Sequence, residues 1–76
     1  MKSQYISSRI FQIEIDPTRF KELRTGRGLS IRKLAEEAGV STETVYSLEH
    51  GRRQPTVRTL GKIARALGVE AKDFFS

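Results

Sequence analysis

The 76-residue chain has no cysteine. Neither a disulfide nor a thiolate metal site can therefore compensate for a small core, and a reducing cytoplasm fits. It has one histidine and no HExxH, Walker or GxGxxG motif, which removes the sequence signatures of zinc hydrolysis, phosphate-loop and dinucleotide chemistry. No metal and no cofactor is expected. No apolar run approaches the ~18 to 20 residues of a membrane span, and the start MKSQYISS lacks the apolar stretch of a signal peptide. The chain reads as soluble, cytoplasmic and without a membrane partner. The adjacent acids Glu36 and Glu37 point ~100° apart on a helix, as solvated surface does and a paired acid and base do not. A chain this short also leaves little room for a substrate cavity of ~300 Å³ or more. An enzyme is not expected. Acid itself is in deficit: nine Asp and Glu stand against fourteen Lys and Arg, for a net charge of +5. That balance favours a polyanionic partner.

With 37% hydrophobic residues, the chain is one small domain near the lower size at which a single core suffices, and helices are the economical way to build it. The richest stretch is LSIRKLAEEAGVSTETVYSLE, Leu29 to Glu49. Ser30 stands where an N-cap hydroxyl accepts from an orphan amide, and Ile31, Leu34, Ala35 and Ala38 follow at helical period. Gly39 ends that helix as its C′ residue. Val40 is an apolar plug, Ser41 a second N-cap, and Val45 and Leu48 a second stripe, closing at Gly51. Helices this short are marginal alone, since isolated ones under ~12 to 15 residues barely hold in water. They must belong to a larger packed unit, and two of them across one sharp turn read as a DNA-binding helix-turn-helix.

The flanks supply that unit. Asp16 and Pro17 are an N-cap and an N1 proline, so a first helix runs to about Thr25, with Phe20, Leu23 and Arg24 inward and Gly26 and Gly28 ending it. After the loop from Gly51 to Pro55, Thr56 caps a helix whose Val57, Leu60, Ile63, Ala64 and Leu67 form an apolar stripe ending at Gly68. Val69 to Phe75 makes a last short turn that covers the core with Phe74. The fold expected is all-α, a five-helix bundle over residues 16–76 with a central helix-turn-helix. Residues 1–15 form an N-terminal extension in which Phe11, Ile13 and Ile15 alternate with Gln12 and Glu14, a strand period. Such a strand either pairs with its copy across a twofold axis to hold a dimer, or is an extension lying along the core or staying flexible.

From Phe20 to Phe74 the chain resembles the phage repressor and Cro-like helix-turn-helix family, also called the xenobiotic-response-element family. The residues carrying the resemblance are Leu23-Arg24, Gly28-Leu29-Ser30, Leu34-Ala35, Ala38-Gly39-Val40-Ser41, Thr44-Val45, Leu48-Glu49, Gly51, Pro55-Thr56, Leu60, Ile63-Ala64 and Ala66-Leu67-Gly68-Val69. The resemblance implies a transcriptional regulator, by default a repressor, that binds a palindromic operator in double-stranded DNA as a homodimer. An antitoxin or other protein-interaction module on the same bundle, with a toxin or another regulator as partner, is the alternative.

With that placement the second helix of the pair enters the major groove, and the side chains left outward are its readers. These are Thr42, Glu43, Tyr46 and Ser47, and the resemblance implies a contact by the N-cap Ser41 as well. A carboxylate only accepts, so Glu43 suits the cytosine amino group; its other role is to favour the helix dipole. His50 reads as plain surface. Phosphates are assigned to Ser30 and Arg32 at a helix N-terminus, to Arg52 and Arg53 beyond the reading helix, and secondarily to Arg27 and Arg58. The resemblance further implies a partly buried ion pair between Arg24 and Glu49. Many phage members carry Gln where Ile31 stands, so one usual polar contact is missing here.

Overall fold

The computed structural model describes residues 14–75. Over that range it has four α-helices, α1 (Pro17–Gly26), α2 (Ile31–Ala38), α3 (Thr42–Glu49) and α4 (Val57–Leu67). The fifth helical element is a single 3-10 turn, Ala71–Phe74. Of the alternating segment Arg9 to Ile15, only Glu14 and Ile15 fall within the described residues. Ile15 is buried in the core. Its amide donates to the Gln54 side-chain oxygen at 2.8 Å, and the next amide, of Asp16, donates to the Phe74 carbonyl at 3.2 Å.

Each α-helix begins on a polar side chain in extended conformation. Asp16 accepts from the Thr18 amide, Ser30 from Lys33, Ser41 from Thr44 and Thr56 from Thr59, each bond satisfying one of the orphan donors of a first turn. The helix-turn-helix bend rests on Gly39, whose φ of 73° lies in the left-handed region that costs any residue with a Cβ about 1 to 2 kcal/mol. Its amide and that of Val40 fold back onto the Ala35 carbonyl, at 2.9 and 3.0 Å. That closure turns the chain into α3.

The helices pack around one core of Ile15, Phe20, Leu34, Ala35, Ala38, Val45, Leu48, Leu60, Ile63, Ala64, Leu67 and Phe74. Helix α2 lies between α3 and α4, while α1 spans α3 and the 3-10 turn. Phe20 and Phe74 meet with ring centroids 5.8 Å apart, so the last turn seals the first helix. One member of the expected stripe departs: Val57 is 62% exposed. It is the first residue of α4, one turn ahead of Leu60, where the helix projects beyond the packed layer. Ile31, at the place of the missing glutamine, is half-buried against the core.

Candidate nucleic-acid interface

Helix α3 has two unlike sides. Val45, Leu48 and Glu49 are buried, whereas Thr42, Glu43 and Tyr46 are exposed and Ser47 is half-exposed. The inward side is locked by charge as well as by packing. Arg24 donates through Nε to Glu49 Oε1 at 2.6 Å and through Nη2 to Glu49 Oε2 at 2.8 Å, a fork-to-fork geometry that fixes orientation as well as distance. Its remaining Nη1 donates to the Leu29 carbonyl at 2.7 Å. The hydrogen bond to Glu49 raises the Arg24 pKa above its ordinary value; partial burial opposes the rise and the Glu49 charge adds to it. Three elements thus meet at one guanidinium: α1, the connection before α2, and the end of α3. Among the described residues no buried side-chain nitrogen or oxygen lacks a partner.

The outward side is held from the loop that follows it. Gly51, at φ 69°, turns the chain so that the Arg52 amide reaches the Ser47 carbonyl at 2.8 Å. Arg52 then lies with its guanidinium carbon 5.4 Å from the Tyr46 ring centroid. Arg53 reaches back further, donating through Nη2 to Thr44 Oγ1 at 2.7 Å. Thr44 Oγ1 is itself 2.8 Å from Ser41 Oγ, and either hydroxyl can donate. The two arginines therefore flank α3 at its two turns, one beside the aromatic and one beside the N-cap. Among the described residues neither has a carboxylate within 4 Å, nor does Arg58, and Glu43 has no cationic nitrogen within that distance.

Ser30 is exposed at the start of α2, and Arg32 beside it is a loose 3.9 Å from Glu36 with its side chain almost fully in solvent. Arg27 is engaged elsewhere: its Nη1 donates to the Leu67 carbonyl, at the C-terminal end of α4, where a cation also meets the negative end of the helix dipole. Periodicity does not reveal that contact, nor those of Arg53 with Thr44 or Gln54 with Ile15, because each involves at least one loop residue and a separation that follows no repeat. His50 also departs from the plain surface expected of it, since its ring stacks on Tyr46 at 3.9 Å and 20°. A half-open cavity of ≈ 260 Å³ lies between α3 and α4, lined in part by Thr44, Leu48, Arg53 and Pro55; it is smaller than the ~300 Å³ of ordinary ligand pockets. Among the described residues no cluster of His, Asp and Glu is grouped to hold a metal ion, and no helix is long and apolar enough to cross a membrane.

Residues 20–74 match the profile of the family described as helix-turn-helix. The chain belongs to the Cro/C1-type helix-turn-helix family of transcriptional regulators. It is 44% identical over 59 residues to the HTH-type transcriptional regulator SutR of Escherichia coli, an alignment covering 78% of this chain and 33% of SutR. The chain thus spans a third of that relative. In structure it is similar to the restriction-modification controller protein C.AhdI from Aeromonas hydrophila, with a TM-score of 0.75, 36% identity, and coverage of 78% of this chain and 89% of the other. It is similar also to the biofilm regulator SinR solved in complex with DNA, with a TM-score of 0.73, 30% identity, and coverage of 76% and 97%. Helix α3 is the second helix of the helix-turn-helix.

Proposed function

We propose that this chain is a sequence-specific DNA-binding regulator that lays α3 in the major groove and, bound as a dimer to a palindromic operator, represses by occlusion. The observation carrying this reading is the division of α3: its inner side is immobilised by core packing and the Arg24–Glu49 fork, while Thr42, Glu43 and Tyr46 are exposed. The major groove is about 12 Å wide and accepts one helix. Thr42, Glu43, Tyr46 and Ser47 are then the base-facing side chains, with Ser41 at the edge. Arg52, Arg53, Arg32, Ser30 and Arg58 supply the phosphate contacts, which position the protein without reading sequence. Glu43 is the sharpest reader, because an unpaired acceptor in the groove rewards the cytosine amino group and opposes bases presenting acceptors.

Selection of bound sequences from a random duplex pool tests the reading. The intact protein is expected to enrich a two-fold symmetric site, and Glu43→Ala to lose its preference for C at one position in each half by a factor of about 5 or more. Uniform weakening on all sequences would refute the role of Glu43. No enrichment at all, with affinity insensitive to salt, would refute DNA recognition itself.

A further inference from the structure

The Tyr46 ring is the largest exposed side chain on α3, 39% exposed, and it does not stand alone. His50, one turn on, is stacked against it with centroids 3.9 Å apart and planes 20° from parallel. The histidine is itself held at its other end, since Nδ1 lies 2.9 Å from the Tyr46 carbonyl oxygen. A carbonyl only accepts, so Nδ1 carries the proton. The same carbonyl takes the His50 backbone amide at 3.0 Å. Arg52, returned by the Gly51 turn, adds its guanidinium over the Tyr46 ring at 5.4 Å, within the ~6 Å range of a cation–π contact.

Side chains on a helix lean toward its N-terminus, so residue i+4 covers the turn of residue i. His50 thus leans onto Tyr46, and Tyr46 leans toward Thr42 and Glu43. A solvent-exposed tyrosine at mid-helix ordinarily exchanges between two χ1 rotamers; with one ring face occupied, the ring has one place to be. The stack leaves its edge and its hydroxyl uncovered.

We propose that His50 is a positioning residue for DNA reading: it holds Tyr46 in the rotamer that presents ring edge and hydroxyl to the groove, beside Glu43, and so sets the preference at the base pair Tyr46 meets. This rests on the reading of α3 as the groove-bound helix. The partner group is a thymine methyl, which suits an aromatic edge. Arg52 has a separate duty, because a guanidinium over the ring keeps its N–H groups free for a phosphate.

Three variants separate this from a role confined to finishing the helix. His50→Ala removes ring and Nδ1 together, His50→Phe keeps the stack and removes only the polar bond, and Tyr46→Ala removes the reader. In the free protein, the upfield shift of the Tyr46 ring protons caused by the neighbouring ring is expected to vanish in His50→Ala and persist in His50→Phe. In site selection, Tyr46→Ala is expected to flatten the preference at one base pair about fivefold or more, His50→Ala to flatten the same position, and His50→Phe to restore it. The salt slope should be unchanged in His50→Ala and His50→Phe, which leave the Tyr46 ring beneath Arg52. If Tyr46→Ala alters the preference while His50→Ala does not, or if His50→Ala weakens all sequences alike, the positioning role is wrong and the reading of α3 stands. If Tyr46→Ala alters no base pair while Glu43→Ala does, the positioning role falls with Tyr46 as a reader. If neither changes any preference, the groove assignment of α3 fails as well.

Discussion

Arg27 and Arg53 carry the same guanidinium and end in different chemistry. Arg27 donates to the Leu67 carbonyl at the end of α4, whereas Arg53 lies on the Thr44 hydroxyl beside the first turn of α3. A neutral hydroxyl leaves the charge uncompensated, so Arg53 keeps its attraction for a phosphate. Arg53→Ala is therefore expected to reduce the slope of log affinity against log salt by about 0.9, one phosphate's worth, with little change in stability. Arg27→Ala should do the reverse, lowering stability by about 1 kcal/mol through the lost carbonyl bond and leaving the slope alone. Binding measured between 50 and 300 mM salt, beside a urea melt, checks both; a slope change in Arg27→Ala would return it to the interface. Glu49 belongs at this scale too. It is 8% exposed and balances a guanidinium whose side chain is only 11% exposed, so Glu49→Gln leaves that charge unpaired and largely out of water at a cost of about 3 kcal/mol. For a domain of this size the thermal midpoint should drop by roughly 12 to 24 °C. A midpoint within a degree or two of the parent's would show that the fork contributes no stability. The pair was legible in the sequence through the family resemblance, because its two positions recur with the motif; Arg27 and His50 were not, because an exposed arginine or histidine gives no sign of which carbonyl or ring it meets.

At the level of the element, most of the architecture could be read from the chain. Asp16, Ser30, Ser41 and Thr56 all cap where their side-chain oxygens predict, since a cap is decided by neighbours two or three residues away. Val57 shows the limit of the same reasoning. Periodicity says which side of a helix is apolar, and only the packed layer says where along the axis the core stops; Val57 lies past it. The turn between α2 and α3 isolates a single conformational demand. A Cβ built at Gly39 meets nothing within 4 Å, so Gly39→Ala adds no clash, and its whole effect is the left-handed φ. The expected loss is ~1 to 2 kcal/mol, read as a lower urea midpoint at unchanged m-value. Asn, which tolerates that region better, should lose about half as much. Equal losses for Ala and Asn would mean that steric contact, absent here, is what Gly39 avoids.

The size of the whole molecule sets how much DNA one copy can read. Helix α3 has eight residues, about 12 Å at 1.5 Å per residue, enough to face roughly four base pairs at 3.4 Å each. Four base pairs distinguish 256 sequences, against about 10⁶ or more competing genomic sites. A single copy is therefore insufficient for a unique address, while two copies on a symmetric site square the discrimination to about 6.5 × 10⁴, which closes most of the gap without removing it. Two copies reading the same face of the duplex require half-site centres one helical turn, about 10 base pairs, apart or a multiple of it. Once the selected site is known, inserting five base pairs between its halves rotates the second half to the opposite side and should reduce affinity to that of a single half-site. Inserting ten should restore part of it, as far as the contact between copies reaches. If the five-base-pair insertion leaves affinity and footprint length unchanged, the chain binds as independent monomers, and its specificity must come from residues beyond α3.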